Sequence, residues 1–235
     1  MSYKGIVREV RRYARAERAR ISTRFFKTGP GEYSEGDVFI GLTMGEQRTI
    51  VKKFAAASFP TIEKLLKSIY HEHRMIGLLI LVMQYQKATE EMRARIFDFY
   101  LTHTASVNNW DLVDATAAYI VGDYLLHRPK RERRILCTLA RSHDLWERRI
   151  AIVATHQFIK HGQCEDTFTL AVRLQTDTED LIHKAVGWML REAGKYDLSA
   201  LETFLKTQIR TLPRTTLRYA IERFPEAKRR YYLAL

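Results

Sequence analysis

The chain has 235 residues, 46% hydrophobic and 28% charged, which is enough for one large domain with a sizeable core. Thirty-nine Lys and Arg against 27 Asp and Glu leave a formal charge of +12 and a pI near 9.8, so the expected partner is a polyanion, either nucleic acid or an acidic membrane face. Only Cys137 and Cys164 are present, with no CxxC pair, which excludes a disulfide framework and suits a reducing cytoplasm.

An Arg-rich helix is expected over about residues 5–24. There Arg8, Arg11, Arg12 and Arg15 fall at i, i+3, i+4 and i+7, one stripe of a helix. Its opposite face is small (Val7, Val10, Ala14), which suits a membrane surface poorly. No apolar core of signal-peptide length lies in this segment. Residues 29–45 hold five Gly and Pro30, a density no helix tolerates, and are expected to form a long loop. Such a loop is either functional or a flexible crossover.

Beyond it, apolar residues recur at three- and four-residue steps in Ile62–Ile69, Ile76–Tyr85, Ile96–Leu101, Leu112–Leu126, Ile150–Ile159, Leu181–Leu190 and Leu198–Leu205. The run Met75–Met83 is far too short to cross a bilayer and reads as a buried helix. Breakers are expected at Phe59-Pro60, Arg128-Pro129, His161-Gly162, Gly194-Lys195, Leu212-Pro213 and Phe224-Pro225. No period-two alternation is sustained, so the fold class is all-α.

Trp110 to Arg149 and Arg149 to Trp188 are each 39 residues. Helical-hairpin repeats of the HEAT kind run about 40 to 47 residues, and residues one period apart line one face. Coincidence is the alternative, in a chain rich in Arg.

Three segments carry the residues of chemical interest. In Asn108–Asp114, Trp110 and Asp114 are four apart and share a helical face. The plain alternative is a core Trp and a carboxylate near the helix N-terminus. In Asp144–Ala151, Arg148 and Arg149 point about 100° apart, so one can pair internally and the other face a partner. In Lys184–Glu192, Gly187 in a helix interior costs about 1 kcal/mol against Ala, which suggests close approach by a helix or a ligand. Lys206, Arg210, Arg214 and Arg218 step by four, interrupted at Pro213. His71-Glu72-His73 and His156 with His161 match no zinc spacing and read as surface histidines. No metal or cofactor is expected.

The blocks NWDLVD, LWERRIAIV and KAVGWMLREAGK, with FFKTGPGEYSEGDVFIGL and LPRTTLRYAIERF, resemble signature segments of the AlkD-like DNA alkylation-repair glycosylases, in order from about residue 20 to the C-terminus. The resemblance implies a single domain over residues 1–235, a right-handed solenoid of HEAT-like hairpins with a basic concave face for duplex DNA. It implies cofactor-free excision of N3- and N7-alkylated purines. Asp114 then matches the catalytic aspartate, Trp110 and Trp188 the active-site tryptophans, and Arg149 the active-site arginine. Arg148, Lys184, Arg191, Arg214 and Arg218 are the expected DNA contacts. The chain is expected to act as a cytoplasmic monomer.

These residue types fit such chemistry. A purine alkylated at N7 or N3 is already cationic and leaves without protonation. One carboxylate can stabilise the sugar cation and orient water, and aromatic faces attract cations by about 0.5–2 kcal/mol. Two rivals remain at this point: a non-catalytic nucleic-acid scaffold, and a solenoid that binds an acidic peptide.

Overall fold

The structure, a computed structural model, describes residues 2–235. Among them there are helices and no strand; one isolated bridge joins Val38 to Tyr70. The helices group into two compact units, Met1–Thr116 and Ala117–Leu235.

The first unit contains α1 (Tyr3–Arg12), α2 (Ala16–Phe25), α3 (Met44–Lys53), α4 (Phe59–Leu66), α5 (His71–Gln86), α6 (Glu90–Thr102) and α7 (Trp110–Asp114). Its centre is α5, which packs against α3, α4, α6 and α7. That helix contains the Met75–Met83 run, and nearly every residue from His71 to Val82 is buried. Thr43 and Glu46 form a capping box that starts α3, each satisfying a backbone amide of the other's turn.

One local expectation fails here for an identifiable reason. The Arg-rich segment is two helices, not one. The break falls at Tyr13–Arg15, where the Arg15 amide donates to the Ile40 carbonyl at 3.0 Å and its guanidinium pairs with Glu46. Arg15 therefore leaves the stripe of Arg8, Arg11 and Arg12. Phe59-Pro60 marks a helix boundary as expected, with Pro60 in the first turn of α4, where its missing N–H costs nothing.

The second unit contains α8 (Asp123–Leu126), α9 (Arg134–Leu139), α10 (Leu145–Lys160), α11 (Glu165–Leu174), α12 (Asp180–Tyr196), α13 (Leu198–Gln208), α14 (Arg214–Ala220) and α15 (Glu226–Ala234). A π-helical turn, Ala118–Gly122, leads into α8, so the expected helix Leu112–Leu126 is not continuous. Helix α12 lies between α10 and α14, with α11 against both α10 and α12, and α13 against α12. Arg149 on α10 and Trp188 on α12 thus belong to neighbouring helices of one row. Gly194 does not end its helix: α12 runs on to Tyr196, with Leu201 of α13 packed over the glycine. The Lys206–Arg218 series is divided, because α13 ends at Gln208 and α14 begins at Arg214.

The close approach suggested by Gly187 is that of α14. A Cβ there would lie 2.5 Å from the Tyr219 Cβ and 2.7 Å from the Thr216 carbonyl oxygen. Thr216 also donates to the His183 carbonyl at 3.1 Å, which holds the two backbones together. Gly187→Ala is expected to cost roughly 2 kcal/mol through overpacking, despite Ala's better helix propensity. Urea denaturation would check this, with an unchanged midpoint counting against the close contact.

Candidate active site

Helix α7 is short and is positioned by the glycine-rich loop together with α5. Asn109, fully buried, caps it: its Oδ1 accepts from the Trp110 amide at 2.8 Å. Its Nδ2 donates back to Ser34 Oγ at 2.6 Å and Asp37 Oδ2 at 3.2 Å. Leu112 and Val113 bury one side of the helix, while Trp110 and Asp114, one turn apart, are half-buried together on another.

The loop is not a flexible crossover. The Glu72 carboxylate, in the first turn of α5, accepts from the amides of Ile40, Gly41 and Leu42, at 2.7 Å for Gly41. Val38 pairs with the chain entering α5: its amide donates to the Ile69 carbonyl, and the His71 amide donates to its own. Asp37 is buried and accepts from Arg74 at 2.5 Å.

His71 lies at the junction. Its Nε2 is 2.9 Å from Asp111 Oδ2 on α7, and its Nδ1 is 3.3 Å from Asp37 Oδ2 in the loop. The His71 ring stacks on Phe39 at 4.7 Å, Phe39 on Phe26 at 4.9 Å, and Phe26 on Trp110 at 5.3 Å. Phe25 meets the edge of Trp110 at 6.0 Å, and the Trp110 Nε1–H donates to Tyr33 Oη at 3.3 Å. His71 and His73 are therefore buried, not surface residues. For His71 nothing local marks the partners, which lie 34 and 40 residues away. The pattern DVFIG of residues 37–41, alternating inward and outward after a glycine, is the signal that could have found the strap.

Burial opposes a charge on His71, but its hydrogen bonds to Asp111 and Asp37 outweigh burial and raise its pKa from 6.5 to about 9. Burial likewise opposes a charge on Asp37, yet His71, Arg74 and Asn109 hold its carboxyl below the usual value. A raised pKa stabilises the folded chain fully below the unfolded value and ceases to do so as pH rises through about 9. The depressed Asp37 stabilises above the usual carboxylate range, and that contribution is lost as pH falls through its folded value. Thermal stability should therefore be greatest near about pH 5–7. Between pH 6.5 and 9.5 it should fall by roughly 3 kcal/mol in the wild type and much less in His71→Gln. A flat melting-temperature series in the wild type would contradict a charged His71.

In the second unit, Trp188 is half-buried on α12, with the His156 ring 5.7 Å away. Burial, then Lys160, lower the His156 pKa. Arg149 is 5% exposed and donates to the Leu181 carbonyl at 2.6 Å, tying α10 to the first turn of Trp188's helix. Arg148 donates to Asp177 at 2.6 Å and to the Ser142 and His143 carbonyls. Lys184 pairs with Asp180 at 2.7 Å, Arg191 with Glu222 and Glu192, and Arg214 donates to the Leu233 carbonyl at 2.7 Å. Arg218 is exposed on α14. The structure thus brings Trp110 and Asp114 together in one unit and sets Arg149 beside Trp188's helix in the other. Tyr33, Phe26 and His71 join the candidate site through contacts that no sequence motif marks.

This is an all-helical protein whose short Trp–Asp helix is built around a buried polar and aromatic cluster. It matches the family described as DNA alkylation repair enzyme over residues 6–224, and the chain belongs to that family. No curated protein matches it in sequence. Its fold is similar to that of a solved structure described as a predicted DNA alkylation repair enzyme from Enterococcus faecalis, with a TM-score of 0.71 and 17% identity, over 91% of this chain and 97% of that one. Among the described residues, no helix is long and apolar enough to cross a membrane, and no cluster of side chains suits a metal ion.

Proposed function

We propose that this protein is a DNA glycosylase that hydrolyses the N-glycosidic bond of cationic N3- and N7-alkylated purines in duplex DNA, as the first step of base excision repair. The observation that carries the reading is the pairing of Trp110 and Asp114 on one face of α7, in a family of DNA alkylation repair enzymes. Asp114 stabilises the positive charge that develops on the sugar and orients the attacking water. Trp110 and Trp188 each offer an aromatic face to the cationic nucleotide. Arg149, its direction fixed by the Leu181 carbonyl, serves a phosphate beside the lesion. The successive hairpins of the second unit support HEAT-like repeats. Arg218 is exposed toward solvent and open to a phosphate; Arg148, Lys184, Arg191 and Arg214 would have to share or exchange their protein partners.

No general acid is needed for a leaving group that is already cationic, so discrimination rests on the lesion's own lability. The test is release of 7-methylguanine from methylated duplex DNA by the purified protein, alongside uracil- and hypoxanthine-containing duplexes. Release of the first alone is expected. Efficient release of neutral bases would overturn the mechanism, and salt-sensitive binding without any release would make the protein a non-catalytic scaffold.

A further inference from the structure

Nothing in the proposed chemistry requires a buried histidine behind the aspartate-bearing helix, yet the first unit is organised around one. We propose that His71 is a positioning residue of the candidate site: it joins the glycine-rich loop to Asp111 on α7 and so fixes the Trp110 ring that meets the lesion. This rests on the glycosylase reading for its purpose, though not for its test.

Two independent routes lead from His71 to the Trp110 end of α7. The polar route runs through Asp111, the residue next to Trp110, and through Asp37 to Asn109, whose side chain caps the Trp110 amide. The aromatic route runs through Phe39 and Phe26 to the Trp110 ring itself, at interplanar angles of 29°, 18° and 21°. A protonated imidazole serves both, because it donates from both nitrogens, one to each carboxylate, and its charge lies against an aromatic face. A neutral imidazole can donate to only one of the two. Deprotonation therefore leaves Asp37 or Asp111 facing a ring nitrogen that has no proton to give.

The charged groups facing His71 are Asp37 from the loop, Asp111 from α7 and Arg74 from its own helix, and Arg74 is itself bound to Asp37. The two carboxylates favour the imidazolium and Arg74 opposes it. Loss of the proton leaves the network with two carboxylates against a single guanidinium. The link between loop and α7 is then the element that loosens.

The test follows Trp110 directly. Protein labelled with 5-fluorotryptophan carries three fluorine reporters, at Trp110, Trp146 and Trp188, and the Trp110 resonance is assigned with Trp110→Phe. In the wild type that resonance should shift with a midpoint near pH 9, while those of Trp146 and Trp188 stay unchanged. His71→Gln should abolish the titration, and Asp111→Asn, which keeps the side-chain volume if the first variant folds poorly, should move its midpoint to lower pH because Asp37 alone then holds the proton. In single-turnover assays, His71→Gln should slow 7-methylguanine release about tenfold or more with DNA affinity within about twofold, the split expected of misplacement at the reacting centre. A Trp110 resonance that is flat from pH 7 to 10, or that titrates identically in both variants, would overturn the proposal. Because this readout needs no activity, a wild type that excises nothing would sink the glycosylase reading and leave the His71 assignment standing.

Discussion

Asp114→Asn is expected to reduce single-turnover release of 7-methylguanine by at least two to three orders of magnitude, with the fold and DNA affinity intact. The substitution keeps the shape of the side chain and removes only the charge. In the proposed mechanism, which has no general acid, that charge is the one anionic group acting on the oxocarbenium-like sugar as the bond breaks. Removing a single preorganised electrostatic partner of a transition state typically costs about 10²–10³ in rate. Asp114 is half-buried and lies one turn from Trp110, so solvent screens it incompletely. Its field also reaches the buried Tyr100 hydroxyl. Burial is the main cause that pushes the Tyr100 pKa up, and Asp114 adds to it. Circular dichroism and a duplex-binding titration would establish that only chemistry was lost. Equal release rates in both proteins would remove Asp114 from the mechanism.

Gly41→Ala is the substitution expected to damage the structure most. Gly41 has φ +94°, in the region that side chains avoid, and an added Cβ would lie 2.2 Å from the Arg15 carbonyl oxygen and 2.9 Å from the Ala19 nitrogen. Both are backbone atoms at the start of α2, which cannot swing aside as a flexible side chain would. Nor can the loop retreat, because the Gly41 amide is already committed to Glu72 at 2.7 Å. Strain at a positive φ and overpacking each cost about 1–3 kcal/mol, so a loss of roughly 3 kcal/mol or more is expected. That corresponds to a fall in Tm of about 10 °C or more. Differential scanning calorimetry would measure it, and a Tm within two or three degrees of the wild type would contradict the close approach.

What could be read in the chain before its structure was what repeats locally. The helical period located α5, α10 and α12 but not their full extent: the apolar recurrence omits the first turn of α5 and of α10 and the last turn of α12. The i, i+4 relation of Trp110 and Asp114 needed only the pitch of a helix. The break at Tyr13–Arg15 carries no Gly or Pro, and its cause is a hydrogen bond from Arg15 to Ile40 that no local pattern announces. The loop's composition excluded a helix but did not tell a slack crossover from a strap. That difference depends on Glu72, His71 and Asn109, whose partners lie 31, 40 and 75 residues away. Gly194 lies inside α12, not at its end, because a breaker residue ends a helix only where its neighbours leave it no alternative.

The Glu72 carboxylate, seated among three consecutive loop amides, also sets where this chain can change its length. Every residue from Asp37 to Leu42 lies in a span with several backbone or side-chain bonds to α5, α2 or α7, so an inserted residue would pull each later bond out of register. Pro30, Gly31 and Glu32 are exposed and held only by short-range contacts within the turn. Insertions, deletions or a grafted epitope belong at that tip, a few residues from Tyr33 and its bond to Trp110.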